Sequence, residues 1–261
     1  MVGLNHIENC KYRRGIASTC MWHMWNCCPE ECVREKMMAE VLYAFDHGSF
    51  VYGTYTDKSD MDVVFVVEDK FDDFLSKYEK GIFEYQSTTP GLYFRSADFQ
   101  YLTKSNYINL IKKNDIMALE SLFLPKDNIF IGNILTPLKY REYFDKDNKW
   151  AIRQSISATA SNSWAKAHKK MTVEKDLDLY KGQKSLFHSL RILMFGNQLC
   201  EFGEIKDYSC ANEYWTDIYY NMKDASWEDY KAKYKPVYNS LRSKLAELAP
   251  KPIENEKENE N

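Results

Sequence analysis

The stretch Asp46-His47-Gly48-Ser49-Phe50-Val51-Tyr52-Gly53-Thr54-Tyr55-Thr56-Asp57-Lys58-Ser59-Asp60-Met61-Asp62-Val63-Val64-Phe65 decides the reading of this chain. An apolar segment, Val41 to Phe45, leads into it and predicts a core strand. Gly48-Ser49 marks a sharp turn, and Ser49 to Tyr55 is expected to form a short helix. Asp60-Met61-Asp62 opens a second apolar run, Val63 to Val67, whose nearly unbroken hydrophobicity predicts a buried central strand. Asp60 and Asp62 are two apart at the head of that strand, so they face the same way. Two carboxylates ~4 Å apart repel by about 4 kcal/mol at an effective dielectric of ~20. A hard divalent cation such as Mg2+ offsets that repulsion. The Gly-Ser turn just upstream offers backbone N–H groups to an anion. Together these features predict a site for a metal-bound nucleoside triphosphate. Each alone is weak, since most Asp-x-Asp pairs are solvated turn residues and Gly-Ser is a common hairpin or cap signal.

The joint pattern carries a resemblance. Gly48-Ser49, a gap and Asp60-x-Asp62 look like the signature of the polymerase-β-type nucleotidyltransferase superfamily. The fuller run, Gly48-Ser49-x-x-Tyr52-Gly53 followed by Ser59-Asp60-x-Asp62, is similar to the bacterial and phage nucleotidyltransferases associated with RNA repair. Those proteins usually carry Arg directly after Gly-Ser. Here Phe50 stands there, so any contact that Arg makes is missing or supplied elsewhere. The resemblance implies an α+β fold: a polymerase-β-like core, with a small mixed sheet flanked by helices, followed by a C-terminal helical domain. It implies a metal-dependent enzyme moving an NMP from a nucleoside triphosphate to a hydroxyl acceptor, an RNA (tRNA-like) end first of all, with release of pyrophosphate. A protein hydroxyl as acceptor, or a non-catalytic nucleotide- or RNA-binding module on the same fold, stays open beside it. Two Mg2+ ions, with Mn2+ as a substitute, would be held by three acids.

Two of those acids are Asp60 and Asp62. The family's third acid opens a β segment that leads into a helix, and Asp98-Phe99-Gln100-Tyr101-Leu102 fits that place, with Glu84 as competitor. A turn residue is the plainer reading of Asp98. The resemblance also implies nucleotide contacts from Gly48, Ser49 and Ser59. On a helix expected over Lys184 to Phe202, Lys184, His188 and Arg191 recur at i, i+4 and i+7 and share one stripe. By spacing alone that stripe is as readily a solvated face. The run Lys184-Ser185-Leu186-Phe187-His188-Ser189-Leu190-Arg191-Ile192-Leu193 resembles the family's Lys-x3-His-x2-Arg helix, which implies contact with triphosphate oxygens. Arg153, Lys166, His168, Lys169 and Lys170 form a looser basic set, read first as a solvated helix face and second as a track for a nucleic-acid backbone.

Composition agrees with a globular chain. The 261 residues carry a net charge of −3, with 19 Tyr and 14 Phe. That near balance argues against a strongly basic nucleic-acid coat and allows a local basic patch. No apolar run approaches the ~20 residues of a membrane span, and no basic-then-apolar leader opens the chain. The expected location is cytoplasmic, in the host cytosol if the source is viral. Five of the seven cysteines lie early, at Cys10, Cys20, Cys27, Cys28 and Cys32. With His23 they admit a zinc reading, but the spacing matches no common zinc motif. Reduced thiols on an apolar helix are the plainer reading.

The organisation expected is an N-terminal Cys/Met/Trp-rich segment (1–35), a nucleotidyltransferase core (36–135), a helical domain (136–249) and a disordered acidic tail (250–261). Further helices are expected over Glu30 to Met38, Lys70 to Lys80, Thr103 to Leu122 and Trp150 to Met171, with two more between Tyr208 and Leu248. Strands are expected over Ile82 to Gln86 and Leu92 to Leu102.

Overall fold

The structure is a computed structural model that describes residues 40–57, 59–72, 82–86, 96–132 and 135–252. The early cysteines with their zinc reading, the helices expected over Glu30 to Met38 and most of Lys70 to Lys80, and nearly all of the tail lie outside those residues.

Five strands form one mixed sheet in the order β3-β4-β2-β1-β5. They are β1 (Val41–His47), β2 (Met61–Val67), β3 (Ile82–Gln86), β4 (Ser96–Thr103) and β5 (Ile129–Ile131). β2 lies at the centre, antiparallel to β1 and parallel to β4. β3 and β5 close the edges in antiparallel fashion. Central position explains the composition of β2, because both of its faces are covered. Val64 and Val66 join Tyr43 and Phe45 under the helices. Val63, Phe65 and Val67 pack on the opposite face with Ala44, Phe99 and Tyr101. β5, at only three residues, lacked a sequence signal strong enough to predict it.

After β1 comes a short helix, α1 (Ser49–Tyr52), and the helix expected from Thr103 to Leu122 is two helices, α2 (Lys104–Lys112) and α3 (Ile116–Ser121). Asn114 breaks it. Its φ of 55° is left-handed, which Asn tolerates better than most residues. The amides of Asn114 and Asp115 return to the carbonyls of Ile111 and Leu110, at 2.9 Å each, closing α2 with a Schellman turn. Asp115 then caps α3, its Oδ1 accepting from the amides of Met117 and Ala118 at 3.1 and 3.3 Å.

Two 24-residue helices, α4 (Lys149–Thr172) and α5 (Leu179–Phe202), pack side by side. They run antiparallel, since Gly182 faces Met171 and Ala167 while Gly196 faces Ile156. α5 starts five residues before Lys184 because Asp178 caps it, accepting from the Lys181 amide at 3.0 Å. It ends where glycine predicts, at Gly203 with φ 75°. A short helix (Asn212–Thr216) runs into a π-helical turn (Asp217–Asn221), and α6 (Trp227–Leu248) completes the bundle. One apolar core runs from Tyr43 and Phe45 through Leu186, Leu190 and Leu193 to Tyr230 and Tyr238. Among the described residues no helix is long and apolar enough to cross a membrane.

The α4–α5 contact has no spare room. A Cβ added at Gly196 would sit 2.5 Å from Ile156 Cγ2. Gly196→Ala is expected to lower stability by about 1–3 kcal/mol in denaturant unfolding, and Ile156→Ala in the same chain should recover part of it.

Candidate active site

β1 ends at His47 and the chain turns at once. Gly48 adopts φ 81°, and a short helix, Ser49–Tyr52, follows until Gly53 stops it in left-handed conformation. The loop then closes on itself, with the Thr54 amide donating to Ser49 O at 2.9 Å. Ser59, 3 % exposed, fastens the return. Its Oγ accepts from the Thr56 amide at 2.9 Å. Ser59 therefore shapes the loop that delivers Asp60.

Strand register lines up the acids. Asp62 on β2 stands opposite His47 on β1 and beside Asp98 on β4. Asp98 in turn stands opposite Glu84 on β3. Laterally paired residues share a face, so Asp62 and Asp98 occupy the same helix-side face as Val64 and Val66. Asp98 is thus not on the far side of the sheet, and Glu84 is its register neighbour one strand further out. Asp62's carboxyl is pushed up to about 7, first by burial and then by Asp60, with Lys184 opposing and Asp98 adding to the rise. The four groups therefore share one electrostatic neighbourhood. Gly48 belongs to it as well. A Cβ there would lie 2.3 Å from Asp62 Oδ2, so glycine is required both by backbone angle and by the carboxylate packed over it.

Helix α5 supplies the facing wall. A shallow cleft is lined by Ser49, Thr54, Lys184, Phe187, His188 and Trp215. Lys184 and His188 thus meet the Gly-Ser turn, while Phe187 and Trp215 carried no sequence signal for this place. His188 is held well below its usual range, first by burial and then by Arg191, Lys184, His47 and Lys166. It is neutral at physiological pH and offers a hydrogen bond in place of a charge.

Arg191 departs from the expected stripe. It is 4 % exposed, lies with its guanidinium carbon 3.5 Å from the Tyr52 ring centre and pairs with Glu120 Oε1 at 3.5 Å. The Tyr52 hydroxyl also donates to Glu120, His47 Nδ1 stands 3.6 Å from Glu120 Oε2, and the Tyr208 hydroxyl donates to the Glu120 carbonyl. Burial pushes the Glu120 carboxyl up, and Arg191 opposes it. His47 is lowered to about 4, by burial first and Arg191 second. Arg191 therefore clamps the Gly-Ser turn to α5 from behind and does not reach the cleft, because its length is spent crossing the core.

Asp46 was missed altogether. It pairs with Val63 on the opposite sheet face and is 8 % exposed. Its Oδ2 accepts from Asn128 Nδ2 at 3.3 Å, and its carboxyl is raised to about 7, by burial foremost.

A metal ion fits the acids in one respect and is incomplete in another. The repulsion among Asp60, Asp62 and Asp98 that raises Asp62 is the kind a divalent cation relieves. Among the described residues, however, no three His, Cys, Asp or Glu side chains converge as a ready-made cage. Mg2+ seldom has an all-protein cage, and takes one or two carboxylates with substrate phosphates and water.

Two predictions follow from this geometry. Gly48→Ala should displace the Asp62 carboxylate and cost about 1–3 kcal/mol, read as a lowered melting temperature. The raised carboxyls also fix the sign of a pH dependence. Asp46 and Asp62 hold protons more tightly folded than unfolded, so metal-free stability falls as pH climbs from about 4 through 7. In EDTA, Asp46→Asn and Asp62→Asn should each flatten that fall. For buried Asp46, whose carboxyl rises from 3.8 to about 7, the gain at pH 8 is on the order of 4 kcal/mol, and at pH 4 it should vanish.

Comparisons with known proteins place these features. Among curated proteins nothing matches the chain. A nucleotidyltransferase-like protein from Exiguobacterium sibiricum 255-15 is similar at 13 % identity and a TM-score of 0.31, over 84 % of this chain and 72 % of that one. Residues 31–112 match the nucleotidyltransferase domain family, and this span contains the Gly-Ser turn and all three acids. Over that span, about a third of the chain, the sequence is similar to nucleotidyltransferase domains.

Proposed function

We propose that this chain is a metal-dependent nucleotidyltransferase that moves an NMP from a nucleoside triphosphate to a hydroxyl at an RNA end, releasing pyrophosphate. The observation that carries the reading is the pairing of Asp62 with Asp98 across parallel strands, directly above a glycine that has no room for a side chain. Asp60 and Asp62 would hold one Mg2+ and Asp98 would complete a second position, with Mn2+ as a substitute. Bound there, the ions would supply charge neutralisation at the attacking and leaving oxygens.

The chain's own groups divide the remaining work. Gly48 and Ser49 bring backbone close to the phosphates. Lys184, near enough to Asp62 to lower its pKa, presents a cation to the β/γ end. Neutral His188 donates from the same wall without adding charge. Asp98, at the open side of the pair, orients the acceptor hydroxyl and draws off its proton. That oxygen then bonds to the α-phosphorus as the bond to the bridging oxygen breaks and pyrophosphate leaves. Positioning and fixed charge do most of this, as is usual for phosphoryl chemistry.

Incubation with Mg2+ and labelled ATP, CTP, GTP or UTP, in the presence of tRNA or of total protein, tests the reading. Label on RNA is expected, and Asp62→Asn or Asp98→Asn should reduce it at least ~100-fold while the fold survives. Label on protein would move the acceptor to a protein hydroxyl. No label with any nucleotide, or undiminished label with Asp62→Asn, would overturn the catalytic assignment.

A further inference from the structure

We propose that the ring pair Phe50–Tyr55 is a stacking platform for the terminal nucleobase of a single-stranded nucleic-acid acceptor, set at the rim of the triphosphate cleft. The inference rests on the function proposed above and adds the surface that would recognise the second substrate.

The two rings lie parallel, 5.0 Å between centroids and 4° between planes. Tyr55 is 54 % exposed, so the stack ends in water. Its place is fixed by chain connectivity. Ser49 and Thr54 line the cleft and are joined by the bond from the Thr54 amide to the Ser49 carbonyl, at 2.9 Å. Phe50 and Tyr55 directly follow those residues, yet neither lines the cleft. The platform therefore stands outside the space assigned to the triphosphate and within one residue of it.

Lys184, on the cleft wall, reaches this loop through Tyr180. Thr56 Oγ1 lies 3.2 Å from the Tyr180 hydroxyl, and Lys184 Nζ stands over the Tyr180 ring at 5.8 Å. Exposed Lys166 is close enough to contribute to the lowering of His188. An open aromatic face with lysines a few residues away is how proteins hold single strands, by stacking a base and pairing the backbone phosphate. The other parallel stack near the cleft, Trp215–Tyr219 at 4.9 Å and 10°, is no substitute. Trp215 is 5 % exposed, and its ring is occupied in packing against Phe187.

The test uses the full-length chain and two separate probes. Anisotropy of a short fluorescein-labelled single-stranded RNA with a free 3′ hydroxyl reads acceptor binding. The rise in melting temperature with Mg2+ and the four nucleoside triphosphates reads the cleft. Tyr55→Ala is expected to weaken RNA binding roughly 10-fold, Tyr55→Phe to leave it intact, and both to keep the triphosphate-induced rise. Undiminished RNA binding by Tyr55→Ala and Phe50→Ala overturns the proposal. So does equal loss of the triphosphate response, which would make the pair part of the nucleotide site. A wild type that answers to triphosphate but binds no RNA also overturns it and leaves the cleft reading standing. A wild type that answers to neither removes both.

Discussion

One close approach governs the site: the Asp62 carboxylate occupies the volume that any side chain at position 48 would need. The constraint follows from register. His47 pairs with Asp62, so the residue after His47 must leave the sheet beneath that acid. Only a residue without Cβ, and tolerant of φ near +80°, can do so. The same turn aims Ser49 at α5, whose Lys184 and His188 complete the cleft. The position of the acids and the position of the facing wall are therefore consequences of a single backbone bend.

That bend is held from behind by buried polar contacts. Arg191, Glu120 and Tyr52 meet in the core, with His47 beside them. Burying an ion pair adds little net stability, because desolvation consumes most of the attraction. Such a cluster contributes definition instead: each group has few partners that satisfy it, so the turn, α3 and α5 can combine in few other ways. Among the described residues, Nε and Nη1 of Arg191 have no hydrogen-bond partner, which makes the stacking on Tyr52 a large part of what offsets its burial.

The central strands and the long helices were legible because their patterns are periodic and long. Val63 to Val67 reads as a doubly covered strand, and the helices at 149–172 and 179–202 follow from apolar spacing. Asp60, Asp62 and Asp98 were legible through motif spacing, and register then placed Asp62 beside Asp98. What failed was the fate of long or capping side chains. Arg191 shares a helical stripe with Lys184 and His188, but a stripe gives direction and not depth, and a buried carboxylate seventy-one residues away claimed it. Ser59, expected as a nucleotide contact, also fastens the loop ahead of Asp60, a role with no local signature. Asn114 and Asp115 looked like helix interior and form a stop and a start. β5 and Asp46 had no local signature, since both depend on which strand lies next to β1.

The seam between the two long helices has a reach beyond packing. Gly182 lets α5 settle against Met171 and Ala167 on α4, and Lys184 follows two residues later on the same rigid rod. The lysine's distance from the acids is therefore set partly along this helix seam. Swapping side chains along that seam would act as a lever on the front. Substrate preference in such a protein can drift through positions that never touch what is bound.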